Sequence, residues 1–140
     1  MDVEVNIWGV VAATVAAMVV GSIWYHKGVF GKDWMKLAKI SEKQAQKDAP
    51  KAMSVMLVLA AIAAYGLAWL TYAVGFVMEE DSYMVAALQT ALMVWVAFVL
   101  YAQASNSVFE QRPSRLLLIN AGNSLVTFLA MGLMIGWVGL

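Results

Sequence analysis

Four long stretches without a charged residue divide the sequence, and they constrain its fold more than any other feature. They cover about residues 6–25, 52–77, 83–106 and 116–138. A helix rises about 1.5 Å per residue, so each stretch is long enough to cross a hydrocarbon core of about 30 Å. With 63% hydrophobic and only 13% charged residues, the composition is typical of membrane proteins. The sequence therefore predicts an all-α integral membrane four-helix bundle, formed by a single transmembrane domain over residues 1–140.

The charged residues between these stretches indicate how the chain is oriented. All seven lysines lie between the first and second stretches, and both arginines lie between the third and fourth. The other side of the membrane would carry acidic residues alone, among them Asp2, Glu79 and Asp81. By the positive-inside rule, both basic loops are cytoplasmic and both termini lie outside. Because acidic residues, and not the positive charges of a secretory signal, precede the first stretch, we expect it to remain in the mature protein.

The first basic loop contains an amphipathic segment over about residues 32–49. Between residues 32 and 43, lysines at helical spacing occupy one face, and Trp34 and Leu37 lie on the other. This pattern predicts a surface for anionic lipid or an acidic partner; the alternative is that the lysines only fix the orientation. Ser41 is spaced to cap a helix at Gln44, and Pro50 would kink or begin the next span. The predicted lysine surface consists of Lys32, Trp34, Lys36, Lys39 and Lys43.

Neutral polar residues in the third and fourth stretches form the second candidate site. Four of them on the fourth stretch follow the spacing i, i+3, i+4, i+7, which places them on one helix face. They predict a polar pocket for a small neutral or anionic solute; the alternative is hydrogen bonding between helices. The candidate pocket consists of Gln103, Asn106, Asn120, Asn123, Ser124 and Thr127, and its candidate gate, or else a surface ion pair, of Glu110, Arg112 and Arg115.

Small residues recur at every fourth position along three of the stretches, and such stripes predict close helix contacts within the chain or between copies. A weaker pattern is a repeat at a constant offset of 79 residues, which aligns the pair Val29–Phe30 with Val108–Phe109. It predicts two helical hairpins in a parallel pseudo-repeat about an axis along the membrane normal. The stripes are Gly9, Ala13, Ala17 and Gly21; Ala60, Ala64 and Ala68; and Gly132 and Gly136.

The chain offers little reactive chemistry. It has no cysteine, one histidine and a formal net charge of zero, so we expect no cofactor, no metal site and no nucleic-acid partner. No charged residue lies near the middle of a stretch, which weighs against a proton pump. The leading hypothesis is a non-catalytic accessory subunit or lipid-associated scaffold that binds anionic lipid or a membrane-protein partner. The alternative is a homo-oligomeric small-solute carrier or channel, and an intramembrane enzyme is the least favoured.

Two loop motifs resemble those of the domain-of-unknown-function 1761 family, small four-helix membrane proteins found mainly in bacteria. The first contains Trp24–Tyr25 and residues 29–37, and the second covers residues 109–122. In that family they usually read WY, a short insert and FGKxWxKL, and then FEGRPxxLxLINAGYHL. Gln111 here replaces a glycine, and Asn123–Ser124 replace Tyr-His. The resemblance implies a four-helix fold and a bacterial inner-membrane location, but no established activity.

Overall fold

The computed structural model describes residues 2–140, which form five α-helices. Two segments with wider, π-helical turns interrupt this pattern: Lys27–Gly31 leads into the second helix, and Trp95–Val99 lies inside the fourth. All of the helices except α2 are long and apolar enough to cross a membrane, as predicted. The helices are α1 (Ile7–Trp24), α2 (Lys32–Ala38), α3 (Glu42–Val77), α4 (Tyr83–Phe109) and α5 (Ser114–Val138).

The four long helices form an up-and-down bundle. Around its circumference they follow the order α1, α3, α4, α5, so that α1 and α4 lie on one diagonal. Antiparallel α1 and α5 meet at both ends: the Trp24 indole bonds the Ile119 carbonyl, and the Asn6 side chain bonds the Gly139 carbonyl. We call the end with Trp24 and both basic loops the basic end. The opposite end, with Glu79–Asp81 between α3 and α4, is the acidic end.

The bundle interior is built from small side chains. Alanines from α1, α3 and α4 are 0–9% exposed and surround Leu67, Met131 and Ile135. A β-carbon added at Gly132 or Gly136 would lie 3.0 Å or less from atoms of α4, so α4 and α5 approach closely there. The stripes therefore pack within the chain, as predicted, except that Gly21 has no neighbour within 4 Å of an added β-carbon.

Helix α3 extends beyond the bundle at the basic end. Its 36 residues span about 54 Å, well above the 30 Å or so of a hydrocarbon core. Ser41 caps it by accepting a bond from the Gln44 amide, as the spacing predicts, and Pro50 lies inside the helix. Between Lys51 and Leu59 every residue is exposed, and packing against the other helices begins at Ala60. The predicted segment 32–49 is thus divided between α2 and the first turns of α3.

A left-handed residue ends α4. Gln111 has φ 53°, and the amides of Gln111 and Arg112 bond the carbonyls of Val108 and Ser107. This is the Schellman arrangement, in which glycine is preferred because a β-carbon is unfavourable at positive φ. It gives a physical reason for the glycine that the family pattern has at this position.

Gln111→Gly is therefore expected to raise the free energy of unfolding by about 1 kcal/mol, since relief of the left-handed strain exceeds the added chain entropy. The measurement is SDS-induced unfolding of the purified protein in mixed micelles. Gln111→Ala is the matched control, because it removes the same side chain and keeps the β-carbon. Equal stability of the glycine and alanine variants would contradict this explanation.

Candidate functional site

The two family motifs meet at the basic end, where the last residues of α1 contact the first turns of α5. The Trp24 indole donates to the Ile119 carbonyl at 3.0 Å, and the Tyr25 hydroxyl donates to Asn120 Oδ1 at 2.7 Å. A β-carbon on Gly122 would lie 2.9 Å from the Trp24 ring. These contacts fasten α1 to α5 through an indole, a phenol and an amide.

Helix α2 is docked onto this junction. The Trp34 ring packs edge-on against Tyr25, with 5.4 Å between centroids, and Arg115 forms an ion pair with Asp33 at 2.9 Å. Lys27, at the start of the π-helical turn, pairs with Glu42 at the start of α3. One face of α2 is therefore fixed against the bundle. Lys32 and Lys36, one helical turn apart, are exposed on α2.

A cleft of about 200 Å³ lies between this docked segment and the first turns of α3. Tyr25, Trp34 and Met35 line one side of it, and Ala45 and Ala49 line the other. The paired Lys27 and Glu42 are also among its lining residues. The cleft is mainly apolar, and its two charged lining residues are paired with each other. It therefore suits an amphipathic or small neutral molecule better than a free ion.

The predicted polar face divides into two groups. Toward α4, the Trp95 indole donates to Ser124 Oγ at 2.9 Å, and Ser124 Oγ lies 2.8 Å from Gln103 Oε1. Toward α1, Asn120 accepts from Tyr25, and the Asn123 side chain lies beside the same phenol. Part of the face thus serves hydrogen bonding between helices, which is the alternative that the sequence left open.

Three buried side-chain polar atoms lack a hydrogen-bond partner within residues 2–140: Asn123 Oδ1, Thr127 Oγ1 and Thr90 Oγ1. Buried polar groups are nearly always bonded, so such atoms need an explanation. Asn123 and Thr127 are one turn apart on α5, and Thr90 is fully buried on α4. Two of the six residues of the candidate pocket therefore retain free bonding capacity.

The remaining predicted residues occupy the surface of the basic end. Asn106 is exposed near the end of α4, away from the bonded groups of the polar face. Glu110 pairs with Arg112 at 2.6 Å, with both side chains about half exposed, whereas Arg115 pairs with Asp33 on α2. The candidate gate is thus two separate surface ion pairs.

The lysine surface lies on two elements. Lys32 and Lys36 are on α2, Lys39 ends α2 at φ 58°, and Lys43 is in the first turn of α3. All four lysines are exposed, while Trp34 is half-buried against Tyr25. Lys47 and Lys51 continue the row of Lys43 along α3 at helical spacing. Trp34 therefore packs against the bundle, and the four lysines form the exposed part of the surface.

The family model described as "Protein of unknown function (DUF1761)" matches residues 8–136. The chain belongs to the DUF1761 family. The resemblance seen in the two loop motifs is thus confirmed over all four long helices. No curated protein and no solved structure matches the chain. Within this DUF1761 member, no three His, Cys, Asp or Glu side chains of residues 2–140 are grouped to hold a metal ion.

Sequence reasoning missed the partners that assemble the junction. Nothing in the sequence pattern marks Tyr25 or Trp95 as a hydrogen-bonding residue, yet each bonds a residue of α5. The Asp33–Arg115 pair joins residues 82 positions apart. Local sequence spacing does not predict such contacts. The one available signal is that Tyr25, Asp33 and Arg115 fall within the two family motifs, whereas Trp95 lies outside both.

Proposed function

We propose that the protein is a non-catalytic scaffold of the bacterial inner membrane, whose lysine surface binds anionic lipid headgroups on the cytoplasmic side. The single observation that carries the proposal is the docked α2, which holds exposed lysines in a fixed place at the end of an apolar bundle. Both basic loops would then be cytoplasmic and both termini outside, in line with the positive-inside rule.

The distribution of apolar side chains supports membrane integration. The bundle interior holds mostly alanine, glycine and threonine, whereas large apolar residues face outward on all four long helices. Phe98 is 68% exposed and Leu118 is 72% exposed, and the other long helices carry similar residues. In water such a large apolar surface would promote aggregation, whereas in the hydrocarbon core of a membrane it is favourably solvated.

The charge of the basic loops supports lipid binding. Between Lys27 and Lys51, seven lysines against three acidic residues leave a net charge of +4. Two of those acids are already paired, Asp33 with Arg115 and Glu42 with Lys27. Each lysine near an anionic leaflet contributes about 1 kcal/mol, so three of them together correspond to roughly a hundredfold preference for anionic lipid. The small-residue stripes are occupied within the chain, so the lysine surface is the better candidate for an accessory role.

The pseudo-repeat belongs to the same proposal. In the order α1, α3, α4, α5, a two-fold axis along the bundle would exchange α1 with α4 and α3 with α5, as two parallel hairpins require. The aligned pairs also occupy similar places, since Val29–Phe30 follows α1 and Val108–Phe109 ends α4. Helix α2 has no counterpart in the second half, which makes the lysine surface an addition to one hairpin.

The test is the triple variant Lys32→Gln, Lys36→Gln and Lys39→Gln. We expect its affinity for phosphatidylglycerol to fall at least tenfold, with no change for phosphatidylcholine, because only the anionic headgroup loses attraction. The measurement is native mass spectrometry of the micelle-solubilised protein during titration with each lipid.

The matched control replaces the same three lysines with arginine, which keeps the charge and should keep the affinity. A single cysteine introduced at position 47 of this cysteine-free chain reports the side, since it should react only from the cytoplasmic face of cell-derived vesicles. Unchanged phosphatidylglycerol binding in the glutamine variant, or labelling from the outer face, would refute the scaffold proposal.

The second candidate function is a homo-oligomeric small-solute carrier or channel. The unpartnered atoms of Asn123 and Thr127 favour it, because free hydrogen-bonding capacity inside a bundle suits a polar ligand. Against transport through one chain, the acidic-end half is closed by alanine packing around Leu67 and Met131. Transport would therefore need a second copy or a rearranged bundle.

A further inference from the structure

Two neighbouring side chains on α5 have buried oxygen atoms without a hydrogen-bond partner. Asn123 Oδ1 and Thr127 Oγ1 have no partner within residues 2–140, and they are separated by one helical turn. Side chains at this spacing lie on the same face, with β-carbons about 5–6 Å apart. One small molecule can therefore contact both oxygens at once.

Other threonines in the bundle have hydrogen-bonded hydroxyls. Thr14 donates to the Val10 carbonyl at 2.8 Å, and Thr71 donates to the Leu67 carbonyl at 2.7 Å, each one turn earlier on its own helix. This back-bonding is the usual way in which a helical threonine satisfies its hydroxyl in an apolar setting. Thr127 does not make this bond, so its hydroxyl remains available to a ligand.

The neighbouring groups connect this pair of oxygens with the cleft at the basic end. Tyr25 lines the cleft, donates to Asn120 and lies beside Asn123. Asn120, Asn123 and Thr127 follow one another along one face of α5, starting at the tyrosine. Tyr25 therefore borders both the cleft and Asn123, the first of the two residues with an unpartnered oxygen.

We propose that Asn123 and Thr127, behind Tyr25, bind a small neutral molecule that donates hydrogen bonds. The ligand must donate, because Asn123 Oδ1 can only accept. It is neutral because no charged side chain lies in this part of the bundle, and an unpaired charge there would be strongly disfavoured. Water and a small amide share this chemistry, and the two sources are separable by experiment.

The first test is Thr127→Val, which replaces the hydroxyl with a methyl group of the same size. If the hydroxyl holds a ligand, the variant should lose a hydrogen bond and its Tm in micelles should fall by about 3 °C or more. Thr90→Val is the matched control. Thr90 Oγ1 is equally unpartnered, but it lies among the fully buried Ala86, Ala87 and Ala91, so removing it should leave the Tm unchanged or raise it. A Tm that rises in both variants overturns the proposal.

The second test measures binding in the unaltered protein, and a variant is needed only to assign one signal. In ¹⁵N-labelled protein in micelles, the side-chain amide of Asn123 is assigned from its loss in Asn123→Leu. A cross-peak from this amide to a slowly exchanging water identifies water as the ligand, whereas a saturable shift on addition of acetamide identifies a solute site. If the amide shows no cross-peak to water and no shift with acetamide, the proposal is overturned.

Discussion

Replacing Gly31 with alanine is expected to lower the free energy of unfolding by about 3 kcal/mol, the upper range for overpacking a close-packed site. An added β-carbon would lie 2.3 Å from the Tyr25 carbonyl oxygen and 2.9 Å from the carbonyl carbon and oxygen of His26. These are backbone atoms, so no side-chain rotation can relieve the overlap. The turn that leads from α1 into α2 must open instead.

Opening of this turn has a second consequence. The Gly31 amide bonds the His26 carbonyl at 3.0 Å, which closes the π-helical turn beside Tyr25. A wider turn would move α2 and its contacts with Tyr25 and Arg115 away from α5. We therefore expect Gly31→Ala also to weaken phosphatidylglycerol binding, although no lysine is changed.

The matched control is Gly21→Ala on α1, because nothing lies within 4 Å of an added β-carbon there. Alanine at such a helical position should stabilise the protein, by up to about 1 kcal/mol, through its higher helix propensity. SDS-induced unfolding measures both variants. Similar stabilities for Gly31→Ala and Gly21→Ala would show that the turn is not packed as described.

The long helices and their caps were predictable because they depend on local sequence. Charge-free stretches define where the spans lie, and the spacing of Ser41 and Gln44 identifies the start of α3 without knowledge of any other helix. The small-residue stripes likewise identify the contact faces, since glycine and alanine allow close approach wherever the partner comes from. These features need only periodicity and composition.

The docking of α2 was not predictable in the same way. The amphipathic pattern places Trp34 opposite the lysines, but lipid and the ring of Tyr25 are equally suitable neighbours for an indole. Which one it meets depends on the Asp33–Arg115 pair and on the space at Gly31, both of which exist only in the folded chain. The candidate pocket shows the same limit, because Ser124 is satisfied by α4 while Thr127 on the same helix is not.

The seam between α4 and α5 should be as sensitive to volume as the turn at Gly31. An added β-carbon at Gly136 would lie 2.8 Å from the Met84 Cα and Sδ atoms, and one at Gly132 would lie 3.0 Å from the Ala87 carbonyl oxygen and the Ala91 β-carbon. The double variant Gly132→Ala, Gly136→Ala is expected to lose about 3 kcal/mol of unfolding free energy, because backbone on both sides resists the added atoms.

A distance measurement separates loss of this seam from general instability. Spin labels on cysteines at positions 85 and 137, exposed on α4 and α5, attach only where introduced because the chain has no cysteine. The double variant should increase the label separation by about 1–2 Å, the extra thickness of two methyl groups in a close-packed seam. Gly66→Ala is the control, because its added β-carbon has open space around it. It should leave the label separation unchanged and should not lower the stability. If the double variant unfolds as readily as Gly66→Ala does, then α4 and α5 do not approach through their glycines, and the alanine-lined closure of the acidic end loses its basis.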